Sequence, residues 1–67
     1  MRLGLVERVT LRAGEDVAEF GGILPAMAAI QRDIKSGDYP PQHARFMRKV
    51  LALLQSQLDN LSYQSPD

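Results

Sequence analysis

The chain has no cysteine, no tryptophan and a single histidine, His43, among its 67 residues. Without cysteine there is no disulfide framework and no thiolate metal site. One histidine cannot build an imidazole cluster, so no metal ligands are expected. The chain also lacks an excess of either charge: eight basic and eight acidic side chains give net zero. Phosphate contacts dominate nucleic-acid affinity and draw on a basic surplus, so the balance argues against a nucleic-acid partner. No apolar run approaches the roughly 20 residues of a membrane span. The segment from Met1 to Leu11 has neither the uninterrupted apolar core nor the small-residue cleavage site of a signal peptide, and a cytoplasmic location is the expectation. A single domain of this size buries only about 60% of its extended-chain surface. Such domains depend on disulfides, a metal or a partner, and here only a partner remains.

The strongest positive signal is the row Ala44, Met47, Leu51, Leu54, Leu58 and Leu61, whose steps are three, four, three, four and three residues. That spacing is the seam of a helix packed lengthwise on another. A helix is therefore expected from Pro41 to about Tyr63. Pro41 suits a first helical turn, where its missing N–H had no partner, and Tyr39 and Pro40 each precede a proline and are held away from helical torsions. Phe46, Val50 and Leu53 form a second row beside the first.

The middle segment repeats Phe20, Ile23, Met27, Ile30 and Ile34 at three, four, three and four. It reads as a helix over about 16–35, kinked near 21–25 by Gly21-Gly22 and Pro25. Gly37 serves as a left-handed stop, with Lys35 in the last turn complementing the helix dipole. A turn at 37–40 makes the two helices antiparallel neighbours. The expected fold is all-α: a coiled-coil-like antiparallel hairpin with a short N-terminal helix or arm. Its seam pairs Ile23, Met27, Ile30 and Ile34 with Met47, Leu51, Leu54 and Leu58. Phe46, Val50 and Leu53 are then left without an internal cover, which marks them as a partner surface. Arg45, Arg48 and Lys49 share one face, and Arg45 and Lys49 join that surface as contacts for an acidic partner.

The first dozen residues permit two readings. Leu3, Leu5, Val9 and Leu11 alternate with polar residues as in a strand, whereas Val6, Val9 and Ala13 follow a helical step. A lone strand has nothing to pair with, so a short helix or arm is favoured, with Gly14 separating it from the middle segment. The polar tail from Ser62 to Asp67 is expected to fray. Catalytic chemistry finds no support. The serines lie in the linker, on a polar helix face or in the tail, and His43 reads as an exposed first-turn residue. Glu15, Asp16 and Glu19 read as first-turn charge favouring a helix N-terminus. No catalytic or cofactor-binding residue is assigned, and no enzyme activity is expected.

The run from Asp33 to Leu53 resembles the small co-chaperones of type III secretion needle subunits, the YscE, PscE and AscE type. In that family an Asp and an apolar residue close the first helix and a Gly makes the turn. A Gln opens the second helix, followed by an aromatic, an Arg and an Ala-Leu pair. The matching positions are Asp33, Ile34, Gly37, Gln42, Phe46, Arg48, Ala52 and Leu53. The likeness covers about a third of the chain, and Pro40-Pro41 and Gly21-Gly22/Pro25 depart from it. It implies a subunit that binds a larger tetratricopeptide-like chaperone and helps keep a needle subunit soluble. The doubled apolar row with no covalent staple separately predicts that the protein alone forms a homodimer or is only marginally stable. A strand, two helices and the Ser36-Gly37-Asp38-Tyr39 turn also resemble a ribbon-helix-helix antitoxin of the ParD kind. Arg8, Thr10 and Arg12 would then read DNA. A phage or regulatory hairpin that binds one host protein is the third reading.

Overall fold

The computed structural model describes residues 2–63, with side chains as far as Leu61. Residues 64–67, most of the tail expected to fray, lie outside the described residues. Three helices are present among the described residues: α1 from Leu5 to Phe20, α2 from Ile23 to Ser36 and α3 from Pro41 to Tyr63. There is no strand among them. The chain is all-helical, and none of these helices is long and apolar enough to cross a membrane.

The expectation of one kinked helix over 16–35 is overturned: α1 and α2 are separate helices. Gly21 closes α1 at φ 81°, and its N–H and that of Gly22 both donate to Val17 O at 3.0 Å. Gly22 then takes φ 152° and ψ 168°, a backbone region open essentially to glycine alone. Pro25 falls in the first turn of α2, where an N–H has no helical partner to lose, and Ala26 N makes the first bond back to Gly22 O at 3.2 Å. Proline thus starts a helix here and does not bend one. Gly14 likewise lies inside α1 and separates nothing. The N-terminal element is a 16-residue helix, and neither a short arm nor a strand.

At the other end of α2, Gly37 adopts φ 77° and Asp38 N donates to Asp33 O at 3.2 Å. These bonds cap carbonyls that the helix leaves open. Four residues later α3 begins, its first bond running from Ala44 N to Pro40 O at 2.8 Å.

Each helix packs on the other two. The buried core is Val9 and Ala13 from α1, Ala26, Met27 and Ile30 from α2, and Met47, Val50 and Leu54 from α3. Ala13 and Ala26 are almost fully buried, and side chains this small let backbones approach closely. Ile23, Ile34, Leu51 and Leu58 are half-buried against the core, as are Phe46 and Leu53. Three members of the apolar rows fall outside it, the small Ala44 among them. Phe20 belongs to the end of α1 and is 39% exposed, and Leu61 is 59% exposed.

The side chains of α1 show how it lies. Val6 and Arg8 are about 200° apart around the helix at roughly 100° per residue. Arg8 shares a recess with Gln42, His43 and Phe46 near the start of α3. Val6 shares one with Lys49 and Leu53, further along α3. Opposite flanks of α1 therefore border different parts of α3, with Val9 buried between them. The resulting slab is 18 Å deep along its shortest axis, in keeping with two layers of helices at about 8–10 Å between axes.

Candidate interaction surface

The packing of α1 on α3 overturns one expectation directly. Val50 is fully buried, so the row Phe46, Val50 and Leu53 does not lack an internal cover. The helix from Leu5 to Phe20, of which only the first part was read as an arm or short helix, is long enough to lie over that row. Val50 belongs to the core and cannot meet a partner. Phe46 and Leu53 remain half-exposed on the two flanks of α1, and Arg45 and Lys49 are exposed.

On the Phe46 side the recess is aromatic and basic. Tyr39 and His43 meet edge to face with centroids 4.8 Å apart. His43 and Phe46 are stacked at 6.0 Å and 25°. The Arg8 guanidinium lies over the Phe46 ring, 5.6 Å from its centroid, within cation–π range. Positions 39, 43 and 46 are one helical step apart, which is why the last linker residues and first turns of α3 can align their rings. His43 is thus half-buried between two aromatic neighbours, a correction to its reading as an exposed residue.

Behind this row is a polar cluster. Asp16 is a carboxylate only 4% exposed, and Arg12 Nε donates to both its oxygens at 3.1 and 3.2 Å. The Tyr39 hydroxyl donates to Asp33 Oδ2 at 3.3 Å, and Arg32 Nε donates to Asp33 Oδ1 at 3.3 Å. Burial raises the Tyr39 pKa above its ordinary value, and the negative charge of Asp33 and the hydrogen bond to it push the same way. All of this favours the neutral phenol. The Arg12–Asp16 pair lies within α1, and the Tyr39–Asp33 bond ties the linker to α2. Glu15, Asp16 and Glu19 accordingly sit in the second half of α1 and do not open a helix.

On the other side the recess is apolar. It is lined by Leu5, Val6, Val9, Thr10, Lys49 and Leu53. Val6 is 75% exposed and Leu5 49%, although both lie within about 40–60° of Val9 around α1. The inward stripe of α1 thus runs past the end of the core it packs on. Leu5 and Val6 were not assigned to a surface from sequence, and Arg8 only to the antitoxin reading. The helical step Val6, Val9, Ala13 and Val17 was the available signal for Val6. Among the described residues no group of three or more His, Asp and Glu side chains could hold a metal ion.

Comparison with protein-family models, with curated proteins and with solved structures returned no match.

Proposed function

We propose that this chain is a non-enzymatic, protein-binding co-chaperone that docks a larger helical partner on one flank of the contact between α1 and α3. The observation that carries the reading is the apolar recess between those two helices. Leu5 and Val6, both largely exposed, flank half-buried Leu53, with Lys49 at the rim. Contiguous exposed apolar surface of this kind marks interaction sites. The resemblance of Asp33 to Leu53 to the needle-subunit co-chaperones gives the partner its class: a tetratricopeptide-like chaperone, holding a type III secretion needle subunit in the cytoplasm. In this reading α2 and α3 form the family's antiparallel hairpin and α1 braces it. The antitoxin reading is set aside because it needs a strand where Leu5 to Phe20 is helical. Co-purification of the tagged protein from its native host, with Val6→Asp and Leu53→Asp alongside, tests the proposal. Recovery of a tetratricopeptide-like chaperone by the wild type and its loss with both variants is expected. Equal recovery by all three, or no such chaperone, overturns it.

A further inference from the structure

We infer that the recess between α1 and α3 takes an amphipathic helix of a partner protein whose acidic edge lies along Arg45 and Lys49. The inference rests on the reading of this recess as a docking surface and adds the chemistry of what docks there. Leu5, Val6 and Leu53 make the apolar centre, and Lys49 is the charged residue of a lining that contains no acid. Arg45, Lys49 and Leu53 follow one another at steps of four on α3, so they form one row along that helix. Arg45 and Lys49 are both exposed. The ion pairs among the described residues are Arg12–Asp16 and Arg32–Asp33, and neither of these two cations takes part in one. No Asp or Glu occurs in 39–58, so this length of α3 offers them no counter-charge. On α1, Glu7 is about 160° around the helix from buried Val9, and its carboxylate sits against Gly4.

An apolar centre with an unbalanced cationic border is complementary to an apolar surface with an anionic border. The same recess of a second copy does not supply one, because a twofold axis through its centre sets Lys49 among like charges. The shape favours a helix over an extended segment. There is no sheet edge among the described residues for a strand to extend, whereas a row along α3 beside a wall from α1 receives side chains at helical steps. On such a helix, carboxylates at the same four-residue step meet Arg45 and Lys49 together. Its apolar side chains supply most of the affinity. The rim ion pairs, each modest, choose the partner and fix its orientation.

The test titrates the full chain into dye-labelled synthetic helices and reads fluorescence anisotropy, with circular dichroism to check that each variant stays helical. The probes are peptides of about 15 residues, long enough to hold a helix, with leucine on one face and glutamate, glutamine or lysine along one edge of it. The glutamate peptide is expected to bind about threefold to tenfold tighter than the glutamine one, and the lysine peptide weakest. Added salt should narrow these gaps. Arg45→Glu/Lys49→Glu should invert the order, so that the lysine peptide binds tightest, and Val6→Asp should weaken all three. Equal binding of the glutamate and glutamine peptides overturns the inference, as does a preference that survives the charge reversal, or no binding at all. Tighter binding to phosphatidylglycerol vesicles than to the glutamate peptide gives the recess to a lipid surface and also overturns it. The two proposals fail separately. A chaperone recovered from the host equally by the wild type and by Arg45→Glu/Lys49→Glu leaves the co-chaperone reading standing and sinks this one. The expected peptide order with no chaperone recovered does the reverse.

Discussion

The guanidinium of Arg8 lies 5.6 Å from the centre of the Phe46 ring, and this contact ties the first half of α1 to α3. It sits at the head of a row that continues through His43 to Tyr39, whose hydroxyl reaches Asp33 at the end of α2. One line of side chains thus touches all three helices. It stands at the edge of the core, where Phe46 is half-buried, so its members position α1 as well as cover it.

The Arg8–Phe46 contact should be measurable as a coupling. Partly exposed cation–π pairs contribute about 0.5–1 kcal/mol. Arg8→Ala should cost about that much. Phe46→Ala should cost more, since the ring also covers core. A double-mutant cycle by urea unfolding should return a coupling of about 0.5–1 kcal/mol, and a value near zero would show that the two side chains act independently.

Gly14→Ala should stabilise the protein. Gly14 lies in the interior of α1 with helical torsions, and a Cβ placed there meets nothing within 4 Å. Alanine is favoured over glycine in a helix interior by about 0.5–1 kcal/mol, and each kcal/mol raises Tm by roughly 4–8 °C in a domain this small. Gly22→Ala is the contrasting case. Its φ of 152° strains any L side chain and Pro25 Cδ lies 3.4 Å from the added carbon, so that variant should melt earlier than the wild type.

The helical class was legible because apolar residues recur at three and four along 23–34 and 44–58, and no tertiary effect competes with so regular a period. The path of α1 was not. Leu3, Leu5, Val9 and Leu11 alternate as in a strand, and only the overlapping row Val6, Val9, Ala13 and Val17 follows the face that the core takes. Gly14 looks like a boundary, yet one exposed glycine costs a helix only about 1 kcal/mol, which packing of Val9 and Ala13 offsets. Pro25 looks like a kink because its harmlessness depends on the helix starting at Ile23, a fact set by the torsions of Gly22. The partner surface was misread for the same reason: Val50 is covered by a helix whose length the N-terminal pattern conceals. The Arg8–Phe46 contact arises from the packing of two helices distant in sequence, and no local spacing encodes it.

Arg12→Ala should be more damaging than an ordinary surface change. Its side chain is partly exposed, but it is the hydrogen-bond donor to a carboxylate that is 4% exposed. Removing it leaves Asp16 buried without its partner, for which about 1–3 kcal/mol is typical. The double change Arg12→Ala/Asp16→Ala should recover part of the loss, because both polar groups are then gone. Thermal melts of the three variants check this. A double variant less stable than Arg12→Ala would show that Asp16 is held by other groups.

Tyr39 gives a pH dependence with a defined sign. Its pKa is raised in the folded protein from 10.0, by burial and by Asp33. Above about pH 10 the unfolded chain therefore loses the phenolic proton while the folded protein keeps it. The unfolded state then binds fewer protons, so stability falls as pH rises. The contribution is fully present below the unfolded value and fades as pH passes the folded one. Melts at rising alkaline pH should show a steeper loss for the wild type than for Tyr39→Phe. Parallel losses would mean that the phenol titrates alike in both states.

The burial of Val50 and Leu54 separates folding from binding. Leu54 is fully buried, and Leu54→Ala should cost about 2–5 kcal/mol, whereas exposed Gln55→Ala should stay within about 0.5 kcal/mol. Val50→Asp is harsher, because it places an unpaired carboxylate at a site with no solvent access. A chain of 67 residues has only some 3–10 kcal/mol to lose, at about 0.05–0.15 kcal/mol per residue. Val50→Asp should therefore abolish the helical circular dichroism signal outright. Val6→Asp places the same charge at a residue 75% exposed and should leave that signal intact. If Val50→Asp stays helical, α1 does not seal the row as described, and Val50 returns to the surface that a partner can reach.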